Sequence, residues 1–358
     1  MIRFDSVSKV YDDGTAAVDS LSFEVPTGTL LALVGPSGCG KTTSLRMINR
    51  LIDPTSGTIT LDDLDVLSTD RVSLRRKIGY VIQHAGLFPH RTVVDNVAAL
   101  PRLLGGDRRT TRTRALELLE VVGLDERFAD RYPWQLSGGQ QQRVGVARAL
   151  ATDPPFLLMD EPFSAVDPIV RAQLQDEFLR LQAEIGKTIV MVTHDIDEAL
   201  KLGDRVAVLR TGGVLAQFGT PLELLTAPVD TFVSDFVGGA RGYRALGFER
   251  LPEDAPVIAH TPVRIGESLR GRGWTVVVDD AGRPLGWIDG GTHAEATASG
   301  LRRTSRFLPL SASARELLDG ALASPGRAVG LVDADGGFIG LISAEVVLRA
   351  AQGQAEAA

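Results

Sequence analysis

The sequence predicts an α/β fold built on a parallel sheet, followed by a smaller α+β domain. Three observations carry this. The apolar run Leu30-Leu31-Ala32-Leu33-Val34 reads as a buried strand; it leads into Gly35-Pro36-Ser37-Gly38-Cys39-Gly40-Lys41-Thr42, and residues 43–48 then read as a helix. A second apolar run, Phe156-Leu157-Leu158-Met159, ends in Asp160-Glu161, the pattern of a strand buried on both faces whose carboxyl end opens on a crevice. Near the C-terminus a strand, an Asp-x-x-Gly turn and a strand occur twice, with Asp279, Gly282 and Gly286 matched by Asp333, Gly336 and Gly340 at a constant offset of 54.

Composition bounds the rest. A chain of 358 residues predicts two or three domains, and 44% hydrophobic with 23% charged residues is ordinary for a globular protein. The formal net charge of -7 argues against a nucleic-acid partner. The one cysteine, Cys39, allows no disulfide within the chain and suits a reducing compartment. The start, Met1-Ile2-Arg3-Phe4-Asp5, lacks a signal-peptide core, and no run approaches the ~20 apolar residues of a membrane span. A cytoplasmic location is expected, with any work at a membrane done through a partner. Every lysine lies before residue 202, whereas the segment from Arg241 carries 13 Arg and no Lys, so a domain boundary is placed near 240.

Taken in order, the first 26 residues alternate polar and apolar side chains and read as antiparallel strands around a turn at Asp12-Asp13-Gly14. Tyr11 sits on that turn; its position suits either stacking on a nucleotide base or a half-buried surface role. The loop 35–42 follows. Its glycines let successive N–H groups face an anion, the helix start adds its positive dipole end, Lys41 can reach β- and γ-phosphates, and Thr42 can ligate Mg²⁺. Residues 58–61 and 78–82 read as strands, the second ending on Gln83, an amide that can ligate a metal or hold a water or simply face solvent. Residues 93–131 look helical, most strongly 110–119. In Leu136-Ser137-Gly138-Gly139-Gln140, Ser137 is an N-cap and the two glycines leave the helix N-terminus bare to an anion. Asp160 is placed to hold Mg²⁺ through its waters, and Glu161 to act as the general base on an attacking water. After the turn Ser164-Ala165-Val166-Asp167 a helix is expected over 170–185, then a strand over 188–193 ending on His194, which can hydrogen-bond a γ-phosphate.

Together these strings resemble an ABC-type ATPase, over residues 1 to about 240. The resemblance matches 35–42 to the Walker A loop, Gln83 to the Q-loop, 136–140 to the signature, Asp160 and Glu161 to the Walker B end, 164–167 to the D-loop, His194 to the switch histidine and Tyr11 to the base-stacking aromatic. Val166 stands where Leu is commoner. It implies a P-loop NTPase domain with a RecA-like core, an antiparallel β subdomain and a helical subdomain. It also implies ATP and Mg²⁺ as cofactors. Gly35, Pro36, Ser37, Gly38, Cys39, Gly40, Lys41, Thr42 and Thr43 would line the phosphates. Thr42, Gln83 and Asp160 would lie at the metal, and Glu161, His194, Gln83 and Lys41 would act in hydrolysis. Asp167 would also belong to the nucleotide site, and Ser137, Gly138, Gly139 and Gln140 would face the nucleotide of a second copy, so that the loop is half a site and closure over ATP is dimerisation.

Two stretches, Met47-Ile48-Asn49-Arg50-Leu51-Ile52-Asp53-Pro54-Thr55-Ser56-Gly57 and residues 219–238, are similar to the ATPase of osmoprotectant importers that take up glycine betaine, carnitine, choline or proline. That likeness implies a separate membrane permease docked on residues 84–135 with 87–92 near the contact, an extracytoplasmic substrate-binding protein acting indirectly, and a peripheral place on the inner face of the membrane. An importer of another small solute shares parts of these stretches, and a soluble ABC ATPase outside transport is the other alternative.

The repeat in residues 241–358 resembles a pair of CBS units, which implies a nucleotide ligand; a duplicated hairpin used only for packing is the other reading. In the first copy only residues 263–270 and a short Gly-Arg-Gly stretch precede the strand, so its leading helix is expected to be shortened, whereas residues 314–323 supply one to the second and Ser343 caps a helix to Ala350. Arg270, Arg272, Arg302, Arg303 and Arg306 offer either anion recognition or a solvated basic surface. Residues 352–358 are expected to fray.

Overall fold

A computed structural model describes the backbone of residues 1–355 except 84, 165, 253, 304 and 305, and side chains as far as 351. The chain divides into two compact units, Met1–Val237 and Gly238–Ala358. In the first unit the strands are β1 (Ile2–Val10), β2 (Ala16–Val25), β3 (Leu30–Val34), β4 (Ser56–Leu61), β5 (Leu64–Asp65), β6 (Ile78–Val81), β7 (Phe156–Asp160), β8 (Thr188–Val192), β9 (Arg205–Arg210) and β10 (Val214–Gly219). They form a four-stranded sheet in the order β2-β1-β4-β5 and a six-stranded sheet in the order β10-β9-β3-β8-β7-β6.

The smaller sheet is antiparallel, with Ile2 opposite Val25 on one side and Leu61 on the other. Its apolar face, including Ile2, Phe4, Leu21, Phe23 and Val25, shares one core with Leu31 and Leu33 of β3 and with Leu45 and Ile48 of the helix Lys41–Ile48. Phe4 and Phe23 stack there at 4.5 Å. Each such side chain, fully withdrawn from water, contributes about 1.5–3 kcal/mol. In the larger sheet β9, β3, β8, β7 and β6 run parallel, and β3, β7 and β8 are buried along their whole length. The parallel direction brings the carboxyl ends of β3, β7, β8 and β6 to one edge.

The helical stretch expected over 93–131 is broken. It consists of Val93–Val97, Ala99–Leu103 and Arg108–Val121, then a 3₁₀ turn at Glu126–Phe128. Gly105, at φ 92°, stops the second helix, and Asp107 starts the third by accepting from the amides of Arg109 and Thr110. The helix Gly138–Leu150 returns to the sheet so closely that a Cβ at Gly79 of β6 would lie 2.4 Å from the carbonyl oxygen of Ala149. Two strands end earlier than the sequence suggests. The β6–β7 ladder closes at Val81 opposite Met159, and β8 stops at Val192, so Gln83 and His194 both stand on loops just beyond the sheet.

The second unit contains two three-stranded sheets of the same topology. In one, β11 (Val263–Arg264) runs parallel to β12 (Trp274–Val278), which pairs antiparallel with β13 (Pro284–Asp289). In the other, β14 (Phe307–Pro309) runs parallel to β15 (Ala328–Val332), which pairs antiparallel with β16 (Phe338–Ser343). The hairpin turns match atom for atom. Asp279 Oδ1 accepts from the amides of Ala281 and Arg283, and Asp333 Oδ1 from those of Asp335 and Gly337. The turn glycines Gly282 and Gly336 have φ of 80° and 82°.

The helix Ala314–Ala323 joins β14 to β15, but no helix joins β11 to β12 among the described residues. The second copy therefore has the larger core, with Leu317, Ala321, Leu331, Ile342 and Val347, against Val263, Leu269, Val277, Ile288 and Ala296 in the first. Trp287, Val276, Leu341 and Ala328 form a cluster common to both sheets. The last helix runs Ala344–Ala355, past the expected end at Ala350; residues 356–358 of the segment expected to fray lie outside the described residues.

Candidate functional site

The loop 35–42 leaves the carboxyl end of β3 and is held by close backbone approach. A Cβ at Gly35 would lie 2.3 Å from the carbonyl oxygen of Leu209, and one at Gly40, where φ is 85°, would lie 2.2 Å from that of Ala17. No other residue type fits either place. Gly40 is the N-cap of the helix Lys41–Ile48 and has no capping side chain, so no side chain of the cap occupies the first amides of that helix. Lys41 is buried, and its ammonium donates to the carbonyls of Gly35 at 2.7 Å and Pro36 at 3.0 Å, with Cys39 Sγ at 3.5 Å. Cys39 is itself fully buried, a packing residue of the loop.

One residue on, Thr42 Oγ1 donates to Asp160 Oδ1 at 3.1 Å, across 118 positions of sequence. Asp160 is the last residue of β7 and is buried. Burial pushes its carboxyl above the usual range, while the Thr42 hydroxyl and the charges of Arg46 and Lys41 pull the other way. The neighbouring phenol of Tyr80, on β6, is pushed up by its own burial and by Asp160.

Glu161 is the centre of the cluster. Gln83 Nε2 donates to its Oε2 at 3.1 Å, and His194 Nδ1 lies 3.2 Å from the same oxygen. The His194 ring is 61% exposed, and a proton on its Nδ1 would let it donate to this carboxylate, which can only accept. The backbone of Glu161 is left-handed, with φ of 46°, a conformation costly for a side chain of this kind and concentrated at functional sites. It is held by the Glu161 amide donating to Val192 O at 2.9 Å and by Ser164 Oγ donating to Glu161 O at 2.9 Å.

The other expected site residues stand apart from this cluster. Ser137 caps the helix Gly138–Leu150 in a reciprocal box: its Oγ accepts from the Gln140 amide, and Gln140 Oε1 accepts from the Ser137 amide. Gly138 is exposed at the first turn; Gly139 is buried, and a Cβ there would meet Leu174 and Val170 at 3.3 Å. Asp167 caps the helix Pro168–Ile185 by accepting from the Val170 amide at 3.1 Å, and Ala165 of the same turn lies outside the described residues. Thr43 occupies the first turn of its helix, beside Thr42. Tyr11 is exposed on the turn after β1 with Lys9 Nζ 5.4 Å from its ring centre. Among the described residues no side-chain hydrogen bond joins Tyr11, the segment 137–140 or Asp167 to Lys41 or Glu161. Of the arginines considered in the second unit, Arg272 donates to Thr261 O and Arg302 stacks over Trp274 at 4.7 Å, so these two are engaged within the unit. Sequence reasoning did not single out Tyr80 or Arg46, because neither carries a motif; only the side-by-side strands β6 and β7 and the first helix reveal them.

The sequence pattern described as ABC transporter matches residues 18–164, a segment that holds the loop 35–42, the 137–140 helix cap and the Asp160-Glu161 pair. The osmoprotectant import ATP-binding protein OsmV of Salmonella typhimurium is 46% identical over 305 residues, covering 80% of this chain and 79% of that protein. The chain belongs to the ABC transporter family. The glycine betaine/carnitine/choline transport ATP-binding protein OpuCA of Bacillus subtilis is 52% identical over 241 residues; these cover 67% of this chain but only 63% of that relative's length. Among solved structures, the ABC cassette MJ0796, a dimer in a post-hydrolysis state bound to ADP and Pi, matches with a TM-score of 0.56 and 38% identity, covering 62% of this chain and 99% of that one. The two-sheet architecture of the first unit is thus the ABC ATPase fold. No helix among the described residues is long and apolar enough to cross a membrane.

Behind the histidine, Glu198 is buried and accepts from Gln175 Nε2 at 3.1 Å. Burial pushes its carboxyl up against the hydrogen bonds of Thr193 and Gln175. The folded chain therefore keeps this proton to higher pH than the unfolded chain. The stabilisation is complete below the unfolded pKa and is lost as pH rises through the folded one. Glu198→Gln keeps the shape and stays neutral. Its thermal midpoint relative to the unaltered protein should climb as pH is raised from about 5 to about 8 in calorimetry; a difference that does not change with pH contradicts the assignment.

Proposed function

We propose that the chain is an ATP hydrolase that energises import of a quaternary-amine osmoprotectant, of the glycine betaine, carnitine, choline or proline class, through a separate membrane permease. The observation that carries the hydrolase reading is the convergence of Gln83 and His194 on Glu161 Oε2, beside the Thr42–Asp160 pair. On this reading the loop 35–42 holds the phosphates of ATP, with Lys41 turning from its own carbonyls to the more strongly accepting γ-phosphate. Glu161 takes a proton from the attacking water, whose oxygen bonds to the γ-phosphorus while the bond to the β–γ bridging oxygen breaks and ADP leaves. Gln83 and His194 orient the carboxylate, and with Nδ1 donating to Glu161 the other nitrogen of the exposed His194 ring is available to a γ-phosphate oxygen.

Mg²⁺ fits the donor set. Thr42 Oγ1, Asp160 and the amide oxygen of Gln83 are hard oxygen donors, and Mg²⁺ takes one or two carboxylates together with phosphates and waters rather than a protein cage. When bound, the ion would neutralise charge on the β- and γ-phosphates.

The importer reading draws on OpuCA and OsmV, whose names assign them to osmoprotectant transport. It is supported by a groove of about 440 Å³ lined by Asn49, Tyr80, Phe88, Arg91, Leu100 and Leu103. Phe88 is exposed there with the guanidinium of Arg91 5.0 Å from its ring centre, and Leu103 is exposed too. The groove joins the Tyr80 strand to the 87–103 segment, which suits a permease docked so as to feel the Gln83 loop. The chain would then work as a two-copy dimer, peripheral on the inner face of the membrane. The segment 137–140 of one copy would meet the nucleotide of the other. In the second unit, the matched turns and topologies support a CBS-like pair that takes an adenine nucleotide and regulates the first.

Glu161→Gln should keep nucleotide affinity within about threefold and lower steady-state turnover by at least ~100-fold, measured by phosphate release; turnover near that of the unaltered chain contradicts the general-base role. Full-length Lys41→Ala, its phosphate loop disabled, should still bind AMP or ATP in calorimetry through the second unit, and absence of any nucleotide binding refutes the CBS-like reading.

A further inference from the structure

Arg171 lies in the first turn of the helix Pro168–Ile185, and among the described residues no side-chain hydrogen bond joins it to Gln83, Glu161 or His194. Its Nη2 donates to the carbonyl oxygen of Val166 at 3.0 Å, and its Nη1 stands 3.9 Å from Asp195 Oδ2. Val166 belongs to the turn 164–167 that follows Glu161, and Asp195 is the residue after His194. One guanidinium therefore bridges two loops that each lead directly into the cluster.

The Asp195 end is well defined. Asp195 Oδ1 caps the helix Ile196–Leu202 by accepting from the amides of Asp197 and Glu198, and its own amide donates to Thr193 Oγ1 at 3.0 Å. The carboxylate thus fixes the backbone on which His194 is carried, and its second oxygen is the one turned to Arg171. One turn further along the same helix, the buried Gln175–Glu198 hydrogen bond ties the two elements again. The Val166 end has matching support. Asp167 caps the helix that carries Arg171, and Ser164 holds the carbonyl of Glu161.

The choice of residue is informative. One nitrogen of the planar guanidinium donates to a carbonyl while another stands at ion-pair distance from a carboxylate, an arrangement that an ammonium on a single stem does not match. The ion pair itself is partly exposed, with side chains 30% and 37% accessible, so its contribution to stability is small. What it supplies is geometry.

We propose that Arg171 is a positioning residue that couples the turn 164–167 to the His194 loop, so that displacement of either carries the other and sets the His194–Glu161 contact. The consequence for turnover rests on the hydrolase reading above; the coupling rests on the contacts of Arg171 alone. The test uses the full chain and two measurements. In hydrogen exchange, Arg171→Ala and Arg171→Gln should raise the exchange of amides at 193–198 by about threefold or more, although the substitution lies over 20 positions away, and unchanged exchange there overturns the proposal whether or not the chain hydrolyses ATP.

In kinetics, Arg171→Ala should lower kcat by about tenfold with KM for ATP altered less than about twofold. Asp195→Asn, which keeps the helix cap, should do the same, and the double variant should be no slower than the worse single one. Arg171→Lys, which keeps the charge without the bridge, should resemble the Ala variant; full activity in Arg171→Lys, or multiplicative losses in the double variant, overturns the coupling. An unaltered chain with no ATP turnover removes the hydrolase reading and leaves the exchange result to decide the coupling. Where Arg171→Ala unfolds, Arg171→Gln and Arg171→Lys carry both measurements.

Discussion

Everything in the first unit depends on holding one carboxylate oxygen, Oε2 of Glu161, within reach of two loops that have nothing else in common. Gln83 comes from the end of β6 and His194 from the end of β8, and β7 runs between them. Only a parallel order β8-β7-β6 delivers all three chain ends to one edge, and only the left-handed backbone at Glu161 turns its side chain out of the strand line. That strained residue is tolerated because the surrounding structure fixes it from both sides, through Val192 and Ser164. The cost of the conformation is met by a sheet whose central strands are buried throughout.

The same logic explains why the antiparallel sheet is pressed so closely on the phosphate loop. Gly40 touches the backbone of Ala17, so the register of β2 sets where the helix Lys41–Ile48 begins. That helix places Thr42 on Asp160. A shift of β2 would reach the Thr42–Asp160 pair through one backbone contact and the start of that helix. The Arg171 bridge adds a further constraint, this time between the chain that leaves Glu161 and the chain that leaves His194.

Much of this was legible in the sequence, for definite reasons. The loop 35–42 and the Asp160-Glu161 pair announce themselves because polar groups ending an uninterrupted apolar strand are expensive unless they meet a ligand. The 54-residue repeat was legible because Asp279 and Asp333 make the same turn with the same amides. The short first copy, too, could be read from the lack of residues before Trp274. What was not legible depends on side-by-side placement of distant segments. Tyr80 and Arg46 act on Asp160 only because β6, β7 and the first helix are neighbours. The left-handed φ of Glu161 has no signature in residue type. The breaks within 93–131 were carried by Gly105 and Asp107, which local pattern alone did not weigh heavily enough against a long run of helix formers.

The central claim is that Gln83 and His194 are coupled through one atom of Glu161, whatever else each would contact in hydrolysis. A double-variant cycle on the single-turnover rate tests this most directly, using Gln83→Ala, His194→Ala and the pair. The account predicts that the pair loses less than the product of the two single losses, because both variants release the same oxygen of Glu161. Losses that multiply would show two separate contributions and contradict it.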